Sequence, residues 1–138
     1  MTKTELLKKL QASVTEKEYV ALQNKQMNGI SEHNRTTILH MMQQTEVSED
    51  QVEETDVEDL DTILKTYLAR YLPDGRDSWK WIILSCIYLG FIVRKPLHAQ
   101  SMVQYTVRKK GNTTEYVCPA KSQGKDTACF YCICRKMS

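Results

Sequence analysis

The sequence contains little glycine and proline and no long hydrophobic run. Five glycines and three prolines among 138 residues exclude collagen-like and low-complexity chains. The longest apolar run, Trp81 to Val93, has 13 residues including one serine, whereas a transmembrane helix needs about 20. The first residues lack the apolar core of a secretory signal. We therefore expect a cytoplasmic protein with no membrane partner.

The sequence also lacks the short motifs of common enzyme classes. It has no G-x-G-x-x-G, G-x-S-x-G, H-E-x-x-H or phosphate-binding P-loop. A thiolate–imidazolium pair would need Cys132 or Cys134 beside His98, and nothing in the sequence places these residues together. These absences favour a binding protein over an enzyme.

Charge is distributed unevenly along the chain. Residues 1–93 carry 10 basic and 15 acidic side chains, a net charge of −5, whereas residues 94–138 carry 9 basic and 2 acidic, a net charge of +7. A basic end with interleaved aromatic residues can bind nucleic acid, because cations neutralise phosphates and rings stack on bases. No known nucleic-acid-binding motif accompanies these charges, so nucleic acid is the less favoured partner. The basic residues are Arg94, Lys95, Arg108, Lys109, Lys110, Lys121, Lys125, Arg135 and Lys136.

The apolar pattern predicts a mainly α protein: a compact helical bundle with a small C-terminal β-hairpin and a cysteine-rich loop. Residues 1–138 form a single domain, with a helical part at 1–98 and the hairpin and cysteine cluster at 99–138. We predict hairpin strands over about 101–108 and 113–118, joined by the turn signal Lys110-Gly111-Asn112.

Two helices are expected to form the core. Apolar residues recur at helical spacing from Leu60 to Leu72, which predicts a face that packs against the core. The next helix, from Trp79 to about Val93, is apolar on nearly every side and should lie at the centre of the bundle, ending before Pro96.

Four of the five cysteines fall in the last 21 residues, in the pattern Cys118-x10-Cys129-x2-Cys132-x-Cys134. The two-residue gap allows two sulfurs to bind one ion, and in extended backbone the one-residue gap puts Cys132 and Cys134 on one face. We predict a tetrahedral zinc site on these four cysteines, with His98 as the substitute if one is misplaced. An iron–sulfur cluster is the redox alternative, and disulfides or free thiols are the others.

The remaining cysteine and histidines are expected to be structural. Cys86 lies in the apolar helix, where a thiol acts as a small hydrophobic side chain. His33 and His40 are seven residues apart on one helix stripe, which fits half-buried or surface histidines better than a metal pair.

Several motifs resemble those of a known family. Lys95-Pro96-Leu97-His98 is followed by a hairpin, then by a Y-x-C-P-x-K stretch at Tyr116 to Lys121, and finally by the C-x-x-C cluster. In this order, over about residues 60–138, the chain resembles the archaeal domain-of-unknown-function family 2115, found largely in methanogens. The resemblance implies an anaerobic cytosolic setting with reduced thiols, and no known activity.

The predicted function is that of a non-enzymatic, zinc-stapled interaction module, with an unidentified protein as its partner. An iron–sulfur or thiol redox protein is the first alternative. A nucleic-acid-binding protein that uses the basic C-terminal end is the second.

Overall fold

The computed structural model describes residues 1–98, 103–119, 121 and 127–136. It is mainly α, as predicted, with five α-helices and a small sheet near the C-terminus. The helices are α1 (Lys3–Ala12), α2 (Glu16–Gln23), α3 (Glu32–Gln43), α4 (Glu54–Tyr71) and α5 (Arg76–Ile87), and α5 continues as a π-helical segment (Tyr88–Val93). The strands are β1 (Thr106–Lys110), β2 (Thr113–Cys118) and β3 (Arg135–Lys136), with a 3₁₀ turn (Ala128–Tyr131) before β3.

The first three helices begin at side-chain caps that satisfy free backbone amides. Thr2 and Ser31 each accept a hydrogen bond from the amide three residues ahead. At the start of α2, Thr15 accepts from the amide of Glu18, and the Glu18 carboxylate accepts from the amide of Thr15. This reciprocal pair is a capping box, which fixes the first turn of the helix.

The core forms where α3 and α4 pack on α5, as expected from the two apolar patterns. Leu60, Leu64 and Leu68 of α4 are buried. The buried face of α4 is narrower than the predicted stripe, however, because Tyr67 and Tyr71 are 58% and 61% exposed. Their rings pack on each other at the surface, with centroids 4.7 Å apart. None of the described helices combines the length and apolar composition that a membrane-spanning helix requires.

The central helix begins three residues earlier than its apolar pattern predicts and ends where predicted. α5 begins at Arg76, after Gly75, and the π-helical segment ends at Val93, with Arg94 as its C-cap. Arg94 adopts the left-handed conformation with φ of 55°. The Lys95 amide then donates to the carbonyl of Leu89 at 3.0 Å, which closes the helix end.

The sheet has three strands in the order β1-β2-β3, one more than the predicted hairpin. β1 and β2 pair antiparallel from Thr106↔Val117 to Lys110↔Thr113. The expected start of the first strand, at 101–102, lies outside the described residues, and residues 103–105 precede β1. β3 pairs parallel to the end of β2 through Val117↔Arg135 and Cys118↔Lys136. This pairing brings the chain that follows Cys132 back beside Cys118.

Candidate functional site

One small cavity of about 40 Å³ brings together all five residues that the sequence analysis proposed as ligands. Cys118, Cys129, Cys132, Cys134 and His98 all line it, although 35 residues lie between His98 and Cys134 in the sequence. We call this space the cysteine cavity. The rest of its lining is mainly apolar or aromatic and includes Pro96, Leu97, Val103, Tyr105 and Ala128.

Two segments position the thiols, the end of β2 and the stretch 129–134. Cys118 is the last residue of β2, Cys129 lies within the 3₁₀ turn, and Cys132 follows that turn directly. The Cys132 amide donates to the Cys129 carbonyl at 3.1 Å, so a tight turn joins the two members of the C-x-x-C pair. Cys134 is buried immediately before β3.

All five cysteines of the chain are free thiols. Burial, together with the neighbouring thiols of Cys132 and Cys118, raises the pKa of Cys134 to about 12, since negative charges close together repel. Lys121 acts in the opposite direction on the same thiol. Cys134 therefore keeps its proton at neutral pH unless a cation displaces it.

The sulfurs surround the cavity but do not converge tightly. Over residues 1–98, 103–119, 121 and 127–136, no group of three or more His, Cys, Asp or Glu side chains has the arrangement that holds a metal ion. The predicted ligands thus share one cavity in this structure without forming a closed coordination shell.

Lys121 has a role in the site that the sequence analysis did not assign to it. Its ammonium group donates to the backbone carbonyl of Cys132 at 2.9 Å and also to the carbonyl of Cys134. This lysine therefore fixes the loop that carries both thiols, instead of lying free among the basic residues of the C-terminal end. Its place three residues after Cys118 in the Y-x-C-P-x-K stretch was the available sequence signal.

Cys86 lies close to the site from the helical side. Burial, and to a smaller extent the nearby Cys132, raises the pKa of Cys86 to about 12. The thiol belongs to α5 and packs against the core cluster, so its neutral, hydrophobic role agrees with the sequence analysis.

The histidines are engaged with the helical core. His33 lies within hydrogen-bond distance of the Leu97 carbonyl, with its Nε2 at 3.0 Å. His40 Nδ1 and the Tyr88 hydroxyl are 2.7 Å apart. The pKa of His98 is lowered mainly by desolvation and to a smaller extent by the nearby His33. The lowered pKa favours the neutral imidazole, which is the form that binds metal ions.

Three consecutive basic residues remain on the surface of the sheet. Arg108, Lys109 and Lys110 of β1 are all exposed. Lys110 lies 3.7 Å from the Glu115 carboxylate across the hairpin, a long and exposed ion pair. Together with the exposed Arg94 and Lys95, these side chains keep part of the basic end accessible.

A search of curated proteins found a relative in a methanogen. The chain is 31% identical over 97 residues to a UPF0305 protein of Methanocaldococcus jannaschii. The match covers 67% of this chain and 58% of that protein, so the chain spans less than two thirds of its relative's length.

No solved structure matches the chain significantly. The model of one protein family, described as uncharacterised proteins conserved in archaea (DUF2115), matches residues 2–137. This confirms the resemblance drawn from the C-terminal motifs and extends it over the N-terminal helices. The chain belongs to the DUF2115 family of uncharacterised archaeal proteins.

Proposed function

We propose that this chain is a non-enzymatic interaction module whose C-terminal region is stapled by one zinc ion bound to Cys118, Cys129, Cys132 and Cys134. The observation that carries the proposal is the shared cavity: the thiol at the end of β2, the three thiols of residues 129–134 and His98 line the same small space. Thiolates that surround one point in a tetrahedron are the usual ligands of structural zinc.

The free thiols and the metal-bound state are related by proton release. A thiol that coordinates zinc is deprotonated, so an ion entering the cavity would displace the Cys134 proton and draw the sulfurs inward. The positive charge of the metal would then offset the repulsion between the thiolates of Cys132, Cys118 and Cys134, which is one cause of the raised pKa of Cys134.

Lys121 supports the same assignment. Zinc bound to four thiolates has a net charge of about −2, and a nearby positive group or hydrogen-bond donors stabilise this negative charge. The Lys121 ammonium already donates hydrogen bonds to the carbonyls of Cys132 and Cys134. It would therefore hold the loop that carries these two ligands and offset part of that charge. His98 remains the replacement ligand if one sulfur stays outside the coordination shell.

The size of the cavity favours a single ion over a cluster. A volume of 40 Å³ holds roughly three water-sized spheres, which is enough for one ion and little more. An iron–sulfur cluster would need the surrounding loops to move apart, because it adds several iron and sulfide atoms to the same ligands.

The interaction itself is assigned to the surface around the staple. Phe130 lies between Cys129 and Cys132 and is 46% exposed. An ordered loop that displays an aromatic side chain is a common element of protein interfaces. A zinc staple would hold Phe130 in place for a protein partner.

The test is the metal content of the full-length chain purified anaerobically without chelators. We expect about one zinc per chain by elemental analysis and no visible absorbance from iron. Cys132→Ser should lose the zinc, whereas Cys86→Ala, which removes a thiol outside the cavity, should retain it. Far-ultraviolet circular dichroism of both variants shows whether the helices are intact.

Two results would overturn the proposal. If Cys132→Ser and the parent chain contained equal zinc, the zinc would not be bound at the four cysteines of the cysteine cavity. Iron and sulfide in place of zinc, with a visible absorption band, would replace the zinc staple with an iron–sulfur protein.

A further inference from the structure

A second and larger cleft lies on the other side of His98. Its volume is about 520 Å³, and all three histidines of the chain line it. We call it the histidine cleft, defined by His33, His40, Lys95, His98, Tyr105 and Tyr116. It shares Pro96, His98 and Tyr105 with the cysteine cavity, so the two spaces are neighbours.

The charge of the lining has one sign. Among the described residues that line the cleft, none is an aspartate or glutamate, and Lys95 contributes an ammonium group. Lys95 is exposed, and its side chain makes no ion pair with any residue that the structure describes. In a chain with 17 acidic residues, a cleft lined by a lysine and three imidazoles and without a carboxylate favours anions over cations.

The histidines are held in place by protein partners. The Leu97 carbonyl only accepts hydrogen bonds, so His33 Nε2 must carry the hydrogen that it receives, which leaves Nδ1 of that ring for another partner. His40 is held through Nδ1 by Tyr88, a phenol that burial keeps neutral by raising its pKa to about 12. Both rings are therefore oriented before any ligand arrives.

The cleft also contains aromatic surface. The rings of Tyr105 and Tyr116 meet edge to face, with centroids 6.1 Å apart, and Val93 and Leu89 add apolar wall. The volume is several times that of an inorganic ion and within the range of small-molecule sites. A ligand that fills it would present a flat or apolar part to these rings in addition to its charge.

We propose that the histidine cleft binds a small organic phosphate that carries a flat ring, with the phosphate against Lys95 and the imidazoles and the ring against Tyr105 and Tyr116. The site adjoins the zinc staple through His98 and Tyr105, which line both spaces. Its ligand contacts need no metal, and Lys95, His33 and His40 do not line the cysteine cavity.

Adenosine monophosphate is the probe, because it combines one phosphate with one flat ring. The three histidine Hε1 resonances of the full-length chain, followed by proton NMR at low ionic strength, all report on the cleft because the chain has no other histidines. We expect the nucleotide to shift these resonances in a saturable manner, and adenosine, which lacks the phosphate, to bind more weakly. Isothermal titration calorimetry supplies the affinities.

A pair of matched lysine variants locates the site. Lys95→Gln removes the charge in the cleft and should weaken binding of the nucleotide roughly fivefold, as expected for one exposed charge pair. Lys17→Gln removes an exposed charge from α2, outside the cleft, and should change the affinity less than about twofold.

Three results would overturn the assignment. The first is that the histidine resonances do not move at nucleotide concentrations up to about 10 mM, because a specific site of this size should have a dissociation constant below that concentration. The two lysine variants weaken binding equally, which is the behaviour of non-specific charge. Adenosine binds as tightly as the nucleotide, which removes the role of the phosphate. Cys132→Ser should retain nucleotide binding, so failure of the zinc proposal would not remove this one.

Discussion

Ser85 is the buried polar side chain that the structure leaves without a hydrogen bond. It is 1% exposed in the middle of α5, and its hydroxyl has no partner among the described residues. A buried hydroxyl that loses water without gaining a protein partner costs free energy, because its hydrogen bonds in the unfolded chain are not replaced. The position adds nothing to the cysteine cavity or the histidine cleft, which it does not line.

We predict that Ser85→Ala raises the free energy of unfolding by about 1 kcal/mol, because it removes the unsatisfied hydroxyl and introduces a good helix former. Urea denaturation measures the change. Thr37→Val is the matched control. Thr37 is buried and its hydroxyl donates to the His33 carbonyl at 2.7 Å, so losing that bond should lower stability by about 1 kcal/mol. A destabilised Ser85→Ala would show that the hydroxyl has a partner after all.

Helix α4 shows how an amphipathic element divides its side chains between core and solvent. The apolar residues from Leu60 to Leu72 share a broad face, yet only the leucines at its centre are buried. Tyrosine at the edge of such a face can remain exposed at little cost, since its hydroxyl stays in water and its ring covers part of the neighbouring surface.

We predict that Leu64→Ala lowers the free energy of unfolding by about 2–5 kcal/mol, the usual range for a cavity left in a packed core. Leu64 is 5% exposed, whereas Tyr67, one turn along the same helix, is 58% exposed. Tyr67→Ala should therefore cost less than about 1 kcal/mol, mainly through its contact with Tyr71. Chemical denaturation of the two variants compares them directly, and similar losses would contradict the assigned orientation of α4.

Glu18 joins two elements that are far apart in the sequence. Its carboxylate completes the capping box of α2 and also accepts a hydrogen bond from Lys80 of α5 at 2.8 Å. Burial raises the pKa of Glu18, but Lys80 and the Thr15 amide outweigh it, so the pKa lies below its ordinary value of 4.5. A lowered pKa means that the folded state prefers the carboxylate, so this contribution to stability is present above about pH 4.5 and is lost as the pH falls further.

We predict that Glu18→Gln lowers the free energy of unfolding at pH 7 by less than about 1 kcal/mol, because the ion pair is partly exposed. Glutamine keeps the capping box, since its side-chain carbonyl also accepts from the Thr15 amide. The difference from the parent chain should shrink as the pH falls below 4.5, and urea denaturation between pH 3 and 7 measures it. Asp61→Asn, which breaks a surface pair with Lys65 within α4, is the control and should cost less.

The elements differ in how far the sequence could predict them. The capping box of α2 and the apolar core of α4 and α5 follow from local spacing, which the sequence displays directly. Strand β3 is two residues long and is stabilised by pairing with β2, so no local pattern announces it. The role of Lys121 and the neighbourhood of His33, His40 and His98 depend in the same way on contacts between distant segments.

The whole molecule joins an acidic helical part to a basic C-terminal part, and the contacts show how they meet. The 3₁₀ turn packs against α4. Burial is the largest cause of the raised pKa of Tyr131 in this turn, and the carboxylates of Asp59 and Asp56 in α4 raise it as well. Arg94 lines one cleft with Asp50 and Glu53. Acidic residues of the helical part therefore lie near both the 3₁₀ turn and Arg94.

The two parts also approach each other closely at Gly90 in the π-helical segment. A Cβ atom at this position would lie 3.3 Å from the Tyr131 carbonyl oxygen and 3.6 Å from Leu97. The rings of Phe91 and Tyr131 also meet there, with centroids 5.7 Å apart. The 3₁₀ turn that carries Cys129 is thus seated on a helix surface that has no room for a larger side chain.

We predict that Gly90→Val displaces this turn and lowers the free energy of unfolding by about 1–3 kcal/mol, the usual cost of overpacking. Because Cys129 and Cys132 lie on either side of Tyr131, their half-buried thiols should react faster with Ellman's reagent in this variant. Ala12→Val, at an exposed position of α1, is the control for adding a branched side chain to a helix and should leave thiol reactivity unchanged. Unaltered thiol reactivity in Gly90→Val would mean that the cysteine region is held by the sheet alone, since strands β2 and β3 would then position the thiols without support from the helical part.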